Sequence, residues 1–90
     1  MYEFRWISWN TEKCELHGVH PEETEFVIRN ARRPFPRRVD DQKLLAWGQA
    51  SSGDYLQVIF LIQDDGALFV IHARPLTERE KHRFRRKRSR

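Results

Sequence analysis

Three apolar runs in the second half of the chain set its organisation. Residues 43–50, 55–63 and 67–74 read as strands, separated by Ser51-Ser52-Gly53-Asp54 and Asp64-Asp65-Gly66. Both connections have hairpin length and turn chemistry, which predicts three consecutive antiparallel strands. In the middle run Leu56, Val58, Phe60 and Ile62 share one face, while Ile59 and Leu61 make the opposite face apolar too. That pattern predicts a central strand covered on part of both faces.

The last strand carries polar side chains into its end. His72 and Arg74, two apart, project from a single face. Pro75 stops the strand, and Thr77-Glu78-Arg79-Glu80 fits the capping box that opens a helix. That helix is expected from 77 to about 88, docking through Leu76 and Phe84.

The first half follows a helical period. Residues 3–7 alternate weakly and predict a short strand. Ser8 or Asn10 then caps a short helix over 11–16, with Trp9, Lys13 and Leu16 along one side and Gly18 in the left-handed position that ends it. Pro21 suits a first helical position, Glu22, Glu23 and Glu25 lie near the positive end of that helix's dipole, and Arg29 lies near the negative end. Phe26 and Val27 are expected to face the core. Pro34 and Pro36 exclude a helix over 32–38, and Phe35 between them is placed to pin this loop onto the body. The order of elements predicts a single α+β domain with a short N-terminal strand, two helices, a three-stranded antiparallel meander and a C-terminal basic helix. Residues 1–82 would form the domain and residues 83–90 a basic tail continuing the last helix.

Charge is segregated along this frame. The net charge is +4 over 90 residues, but residues 79–90 hold eight Lys or Arg against Glu80, a local +7, which leaves residues 1–78 at −3. A second island at 29–38 holds five arginines and no acid. An anionic partner is the natural complement. The single cysteine, Cys14, cannot form an internal disulfide, which points to a reducing cytoplasmic location. No apolar run approaches the roughly 20 residues that span a bilayer, so no membrane partner is expected.

Several chemistries lack their residues. Cys14-x-x-His17-x-x-His20 is interrupted by Gly18 and Pro21 and matches no zinc spacing, so neither a metal nor another cofactor is expected. There is no phosphate-cradling glycine loop and no Gly-x-Ser-x-Gly elbow. RNA cleavage without metal is the chemistry these residues support. It needs a base for the ribose 2′-OH, an acid for the departing 5′-oxygen and cations for the phosphorane oxygens. His72 can transfer protons near neutrality, and Arg74 and Arg79 can hold a phosphate through paired N–H groups. Glu80 joins them by position, although the capping box reads it first as structural. His17 is a second titratable candidate. Trp47 is a candidate for base stacking, although tryptophans in so small a domain, Trp6 and Trp9 included, belong by default to the core. Lys81, Arg83, Arg85 and Arg86 would attract RNA with a strong salt dependence.

Two stretches also carry a resemblance. Trp9-Asn10, His17-Gly18-Val19 and Pro21-Glu22-Glu23, followed by Gly48 and then Val70-Ile71-His72-Ala73-Arg74 with Thr77, Arg79 and Glu80, resemble BrnT-family toxins in order and spacing. The resemblance implies a RelE-like α+β fold. It also implies an RNA endonuclease that inhibits translation, with a possible association with the ribosome, and that a DNA-binding antitoxin neutralises. Arg74, Arg79 and Glu80 match the family pattern directly, and His72 stands where many relatives have Ser. The arginine-rich loop 32–38 replaces a usually acidic segment, and the tail is more basic than is typical. Both departures leave open a branch of the same fold that binds RNA or protein without cutting.

Overall fold

The computed structural model describes residues 2–88, with only the backbone of Lys87 and Arg88. The elements run α1 (Ser8–Glu15), α2 (Pro21–Arg29), β1 (Arg37–Arg38), β2 (Lys43–Gln49), β3 (Tyr55–Ile62), β4 (Leu68–Pro75) and α3 (Glu78–Arg88). The four strands form one antiparallel sheet in the order β1-β2-β3-β4. The expected meander is therefore present, and the arginine-rich segment adds a fourth, two-residue strand to it. That strand was not legible, because two arginines beside Pro36 carry no strand pattern. The described chain is one α+β unit, and no described helix is long and apolar enough to cross a membrane.

Val27 and Ile28 of α2, with Ala46, Leu56, Val58, Phe60, Val70 and Ala73 of the sheet, lie in the buried core. α2 approaches β2 closely at Gly48, where a Cβ would stand 3.0 Å from Val27 Cγ1. Trp47, Gln57 and Arg74 form a row across β2, β3 and β4, and Phe35 and Phe84 pack beside Trp47. Phe35 is buried and does pin the loop. Between Ile59 and Phe60 the β3–β4 register shifts by one, making Ile71 an extra residue on β4. Leu68 and Val70 are therefore buried before the bulge and Ala73 after it.

The first half departs from its pattern in four places. Residues 3–7 form only a parallel bridge, Phe4 to Leu68, in place of a strand. α1 begins at Ser8, and neither Ser8 nor Asn10 is its N-cap. Buried Asn10 lies inside the helix, its Oδ1 accepting from the Ile7 N–H at 2.8 Å and its Nδ2 donating to the Arg5 carbonyl at 3.0 Å. Trp9, expected in the core, is 48% exposed and stacks on Phe69. Phe26 turns outward while Val27 and Ile28 turn in, a rotation of one residue about the α2 axis. Gly18 does take the left-handed conformation, at φ +72°, and Pro21 opens α2 as expected.

Candidate nucleic-acid site

Two clusters bring candidate residues together, Trp47, Arg74 and Glu80 in the first and His17 and His72 in the second. At the first, β4 delivers Arg74 to the turn that starts α3, and Thr77 and Glu80 close the capping box. The Glu80 N–H donates to Thr77 Oγ1 at 3.1 Å, and the Thr77 N–H donates to Glu80 Oε1 at 2.8 Å. Glu80 also takes both Arg74 guanidinium ends, Oε1 and Oε2 each at 2.8 Å. Arg74 further donates to the Pro75 carbonyl at 3.0 Å and to Gln57 Oε1 at 3.2 Å. The same Gln57 oxygen accepts from Trp47 Nε1 at 3.0 Å. The buried amide of Gln57 thus links the indole to the guanidinium. Its role was not legible, since one polar residue in an apolar run reads as an interruption.

The electrostatics match this wiring. Paired with Arg74 and held by the Thr77 N–H, the Glu80 carboxyl is lowered to about 2, and the Arg74 guanidinium is raised by the same carboxylate. Arg74 therefore stands already neutralised by a bidentate partner. A phosphate reaching it must compete with Glu80.

At the second cluster, the turn after α1 sets the His17 ring edge-on to His72 of β4, with centroids 5.4 Å apart. Distant in sequence, the two imidazoles meet because α1 packs along β4. His72 is half-buried, and burial holds its pKa below the ordinary value. The charges of His17, Arg74 and Lys13 push it the same way. Lys13, whose ammonium also lies over the Trp9 ring at 5.3 Å, is a member of this cluster that the sequence placed only beside Trp9 and Leu16 along one side of the first helix.

The remaining candidates lie along α3. Arg79 is exposed and makes no ion pair among the described residues. Lys81 pairs with Glu78 at 3.0 Å. The Arg83 guanidinium lies 5.4 Å from the Trp47 ring centre, and that of Arg85 lies 5.1 Å from the Tyr55 ring centre. Arg86 is exposed. Trp47 is 5% exposed, flanked by Phe35 and Arg83, so its ring serves packing and offers no open face for a base. No group of three or more metal-ligating side chains occurs among the described residues.

No protein-family model, no curated protein and no solved structure matches this chain.

Proposed function

We propose that this chain is a metal-independent RNA endonuclease of the toxin type, which inhibits translation in the cytoplasm and is neutralised by a cognate DNA-binding antitoxin. The observation that carries the ribonuclease reading is the contact of His17 with His72 at 5.4 Å. Cleavage requires a base and an acid acting on one phosphate, and two imidazoles side by side supply both. His72, kept neutral at pH 7 by its lowered pKa, takes the 2′-OH proton. The 2′-oxygen then attacks phosphorus, the P–O5′ bond breaks, and His17 protonates the leaving 5′-oxygen. The products are a 2′,3′-cyclic phosphate and a 5′-hydroxyl. Lys13 provides positive charge for the phosphorane, and Arg74 joins it when phosphate displaces Glu80. Arg79, exposed at the start of α3, is left to hold the RNA strand beyond the reacting phosphate. The antitoxin and the translational target rest on the resemblance to BrnT-family toxins.

The test is expression of the chain in bacteria together with incubation of the purified protein with RNA in EDTA. Growth arrest and cyclic-phosphate ends are expected, both abolished in His72→Ala. A folded His72→Ala protein that remains equally toxic eliminates the proposed site. The Arg74–Glu80 pair favours a second reading, a non-catalytic RNA- or protein-binding module, because it commits the best phosphate ligand to the fold. RNA that shifts on binding but stays intact after long incubation selects that reading.

A further inference from the structure

Loop 31–36, α2 and β2 enclose a groove of about 440 Å³ that contains neither histidine of the proposed site nor Arg74. Its floor is an unfinished sheet edge. β1 pairs with β2 only at Leu44 and Leu45. The Val39 N–H donates to the Lys43 carbonyl, on the β1 side, whereas the Ala50 N–H donates to the Asp54 carbonyl, on the β3 side. The alternation of an antiparallel ladder then turns the N–H and C=O of Trp47 and Gln49 toward the β1 side, past the end of β1. Continuing β1 backward would set Phe35 opposite Trp47. The Phe35 N–H donates to the Arg32 carbonyl at 2.8 Å instead, and Pro34 and Pro36 have no N–H to give. The loop peels away, and Trp47 and Gln49 find no backbone partner on that side among the described residues.

The walls of the groove complement that floor. Arg32 and Arg33 line it without an ion pair or side-chain hydrogen bond among the described residues, and no acid lines it. Phe26, 39% exposed, presents an aromatic ring on the α2 side. Unpaired N–H and C=O groups on a strand edge are open to bonds from an incoming group, and a nucleobase edge supplies an adjacent donor and acceptor while its face stacks on an aromatic ring. The volume falls in the range of roughly 300–1,000 Å³ typical of small-molecule sites. A peptide added as a strand would gain little here, because β1 and the turn at 51–54 confine the open edge to two bonding residues.

We propose that this groove binds one nucleotide of a single-stranded RNA, its base bonded to the open β2 edge and stacked on Phe26, its phosphate held by Arg32 and Arg33. The inference rests on the RNA reading above and adds to it a binding subsite separate from the histidine pair. A nucleotide held there anchors the strand while a neighbouring stretch crosses the sheet toward β4.

The test uses the full chain and a 2′-O-methyl RNA hexamer, which lacks the 2′-OH nucleophile and so reports binding without cleavage, read by fluorescence anisotropy. Arg32→Ala/Arg33→Ala should weaken binding at least tenfold and reduce the slope of log K against log salt by about 0.7, the value for one phosphate on a single strand. Phe26→Ala, with folding checked by circular dichroism, should weaken binding of the hexamer about tenfold and leave an abasic hexamer unaffected. Displacement of the labelled hexamer by unlabelled hexamer at concentrations at least tenfold below those of adenosine 5′-monophosphate supports a subsite for an RNA strand. Displacement by the mononucleotide as readily as by the hexamer assigns the groove to free nucleotides and overturns the proposal. Equal binding of hexamer and abasic hexamer by the wild type, or unchanged binding in the double arginine variant, overturns the proposal. A hexaglutamate peptide that displaces the hexamer through the same arginines, with Phe26→Ala indifferent, assigns the groove to an acidic protein and also overturns it. Intact unmodified RNA alongside the expected binding results defeats only the ribonuclease reading. Cleavage alongside equal binding by every variant defeats only this one.

Discussion

Arg74 and Glu80 meet in a fork-to-fork pair, both guanidinium ends on both carboxylate oxygens at 2.8 Å, across the turn that joins β4 to α3. The pair holds the start of α3 against the sheet, because Glu80 belongs to the helix and Arg74 to the strand. The Glu80 pKa is lowered to about 2 in the fold and returns to the ordinary carboxylate range on unfolding. Stability from this group is complete above about pH 4.5 and is lost as the pH falls toward 2. Urea unfolding should therefore show Glu80→Gln destabilised by on the order of 2 kcal/mol at pH 7, with the difference from wild type vanishing near pH 2. An equal gap at both pH values would mean that the carboxylate charge is not what holds the turn.

His72 has the opposite origin for its shift. Burial and the neighbouring positive groups His17, Arg74 and Lys13 lower its pKa, so the unfolded chain takes up a proton at higher pH than the folded one. This contribution to stability is full above about pH 6.5 and declines as the pH falls through the folded pKa. In a carbon-detected NMR titration of the four histidines, His72 should titrate below the ordinary histidine value. His17→Ala should move it upward, and Lys13→Ala should move it upward by less. A His72 curve indifferent to His17 would remove the coupling on which the proton-transfer pair depends.

These two clusters differ in how far the sequence exposed them. Thr77 and Glu80 were legible as a capping box because that motif is local, and His72 and Arg74 were legible as neighbours on one strand face. The bidentate contact was not, since it depends on how sharply the chain turns at Pro75 and Leu76. The approach of His17 to His72 was hidden for the same reason, being set by α1 packing on β4. The alternating runs of β2, β3 and β4 gave the meander directly. In α2, by contrast, Phe26, Val27 and Ile28 form a continuous apolar triplet, and a triplet does not say which two of its members point inward. The core took Val27 and Ile28, and Phe26 was left at the groove.

Phe35 is the hinge between the arginine-rich loop and the body. It is buried between Trp47 and Phe84, with ring centres at 5.6 and 6.1 Å, and thus ties the loop to both β2 and α3. Phe35→Ala should cost about 3 kcal/mol by loss of buried area and creation of a cavity. Phe35→Leu should cost about 1 kcal/mol, because most of the volume is kept. Thermal unfolding of the two variants gives the comparison. Equal losses would show that the aromatic contacts, and not the filling of space, anchor the loop.

Gly48 is required by a helix and not by its own backbone angles. It lies in the middle of β2 with no positive φ, and a Cβ there would stand 3.0 Å from Val27 Cγ1. That distance is too short for undisturbed packing, so in Gly48→Ala either α2 moves away from the sheet or Val27 changes rotamer. Overpacking of this kind costs about 1–3 kcal/mol. Val27→Ala alone leaves a cavity against the same strand and is destabilising as well. In the double variant the new methyl occupies part of the space that Val27 vacated, so the two losses should not add. The double-mutant cycle should show a favourable coupling of about 1 kcal/mol, measured by urea unfolding of the four proteins. Additive losses would place the close approach of α2 and β2 elsewhere. α2 would then be free to shift along the sheet, and because Phe26 rides on the same helix, the width of the nucleotide groove would shift with it.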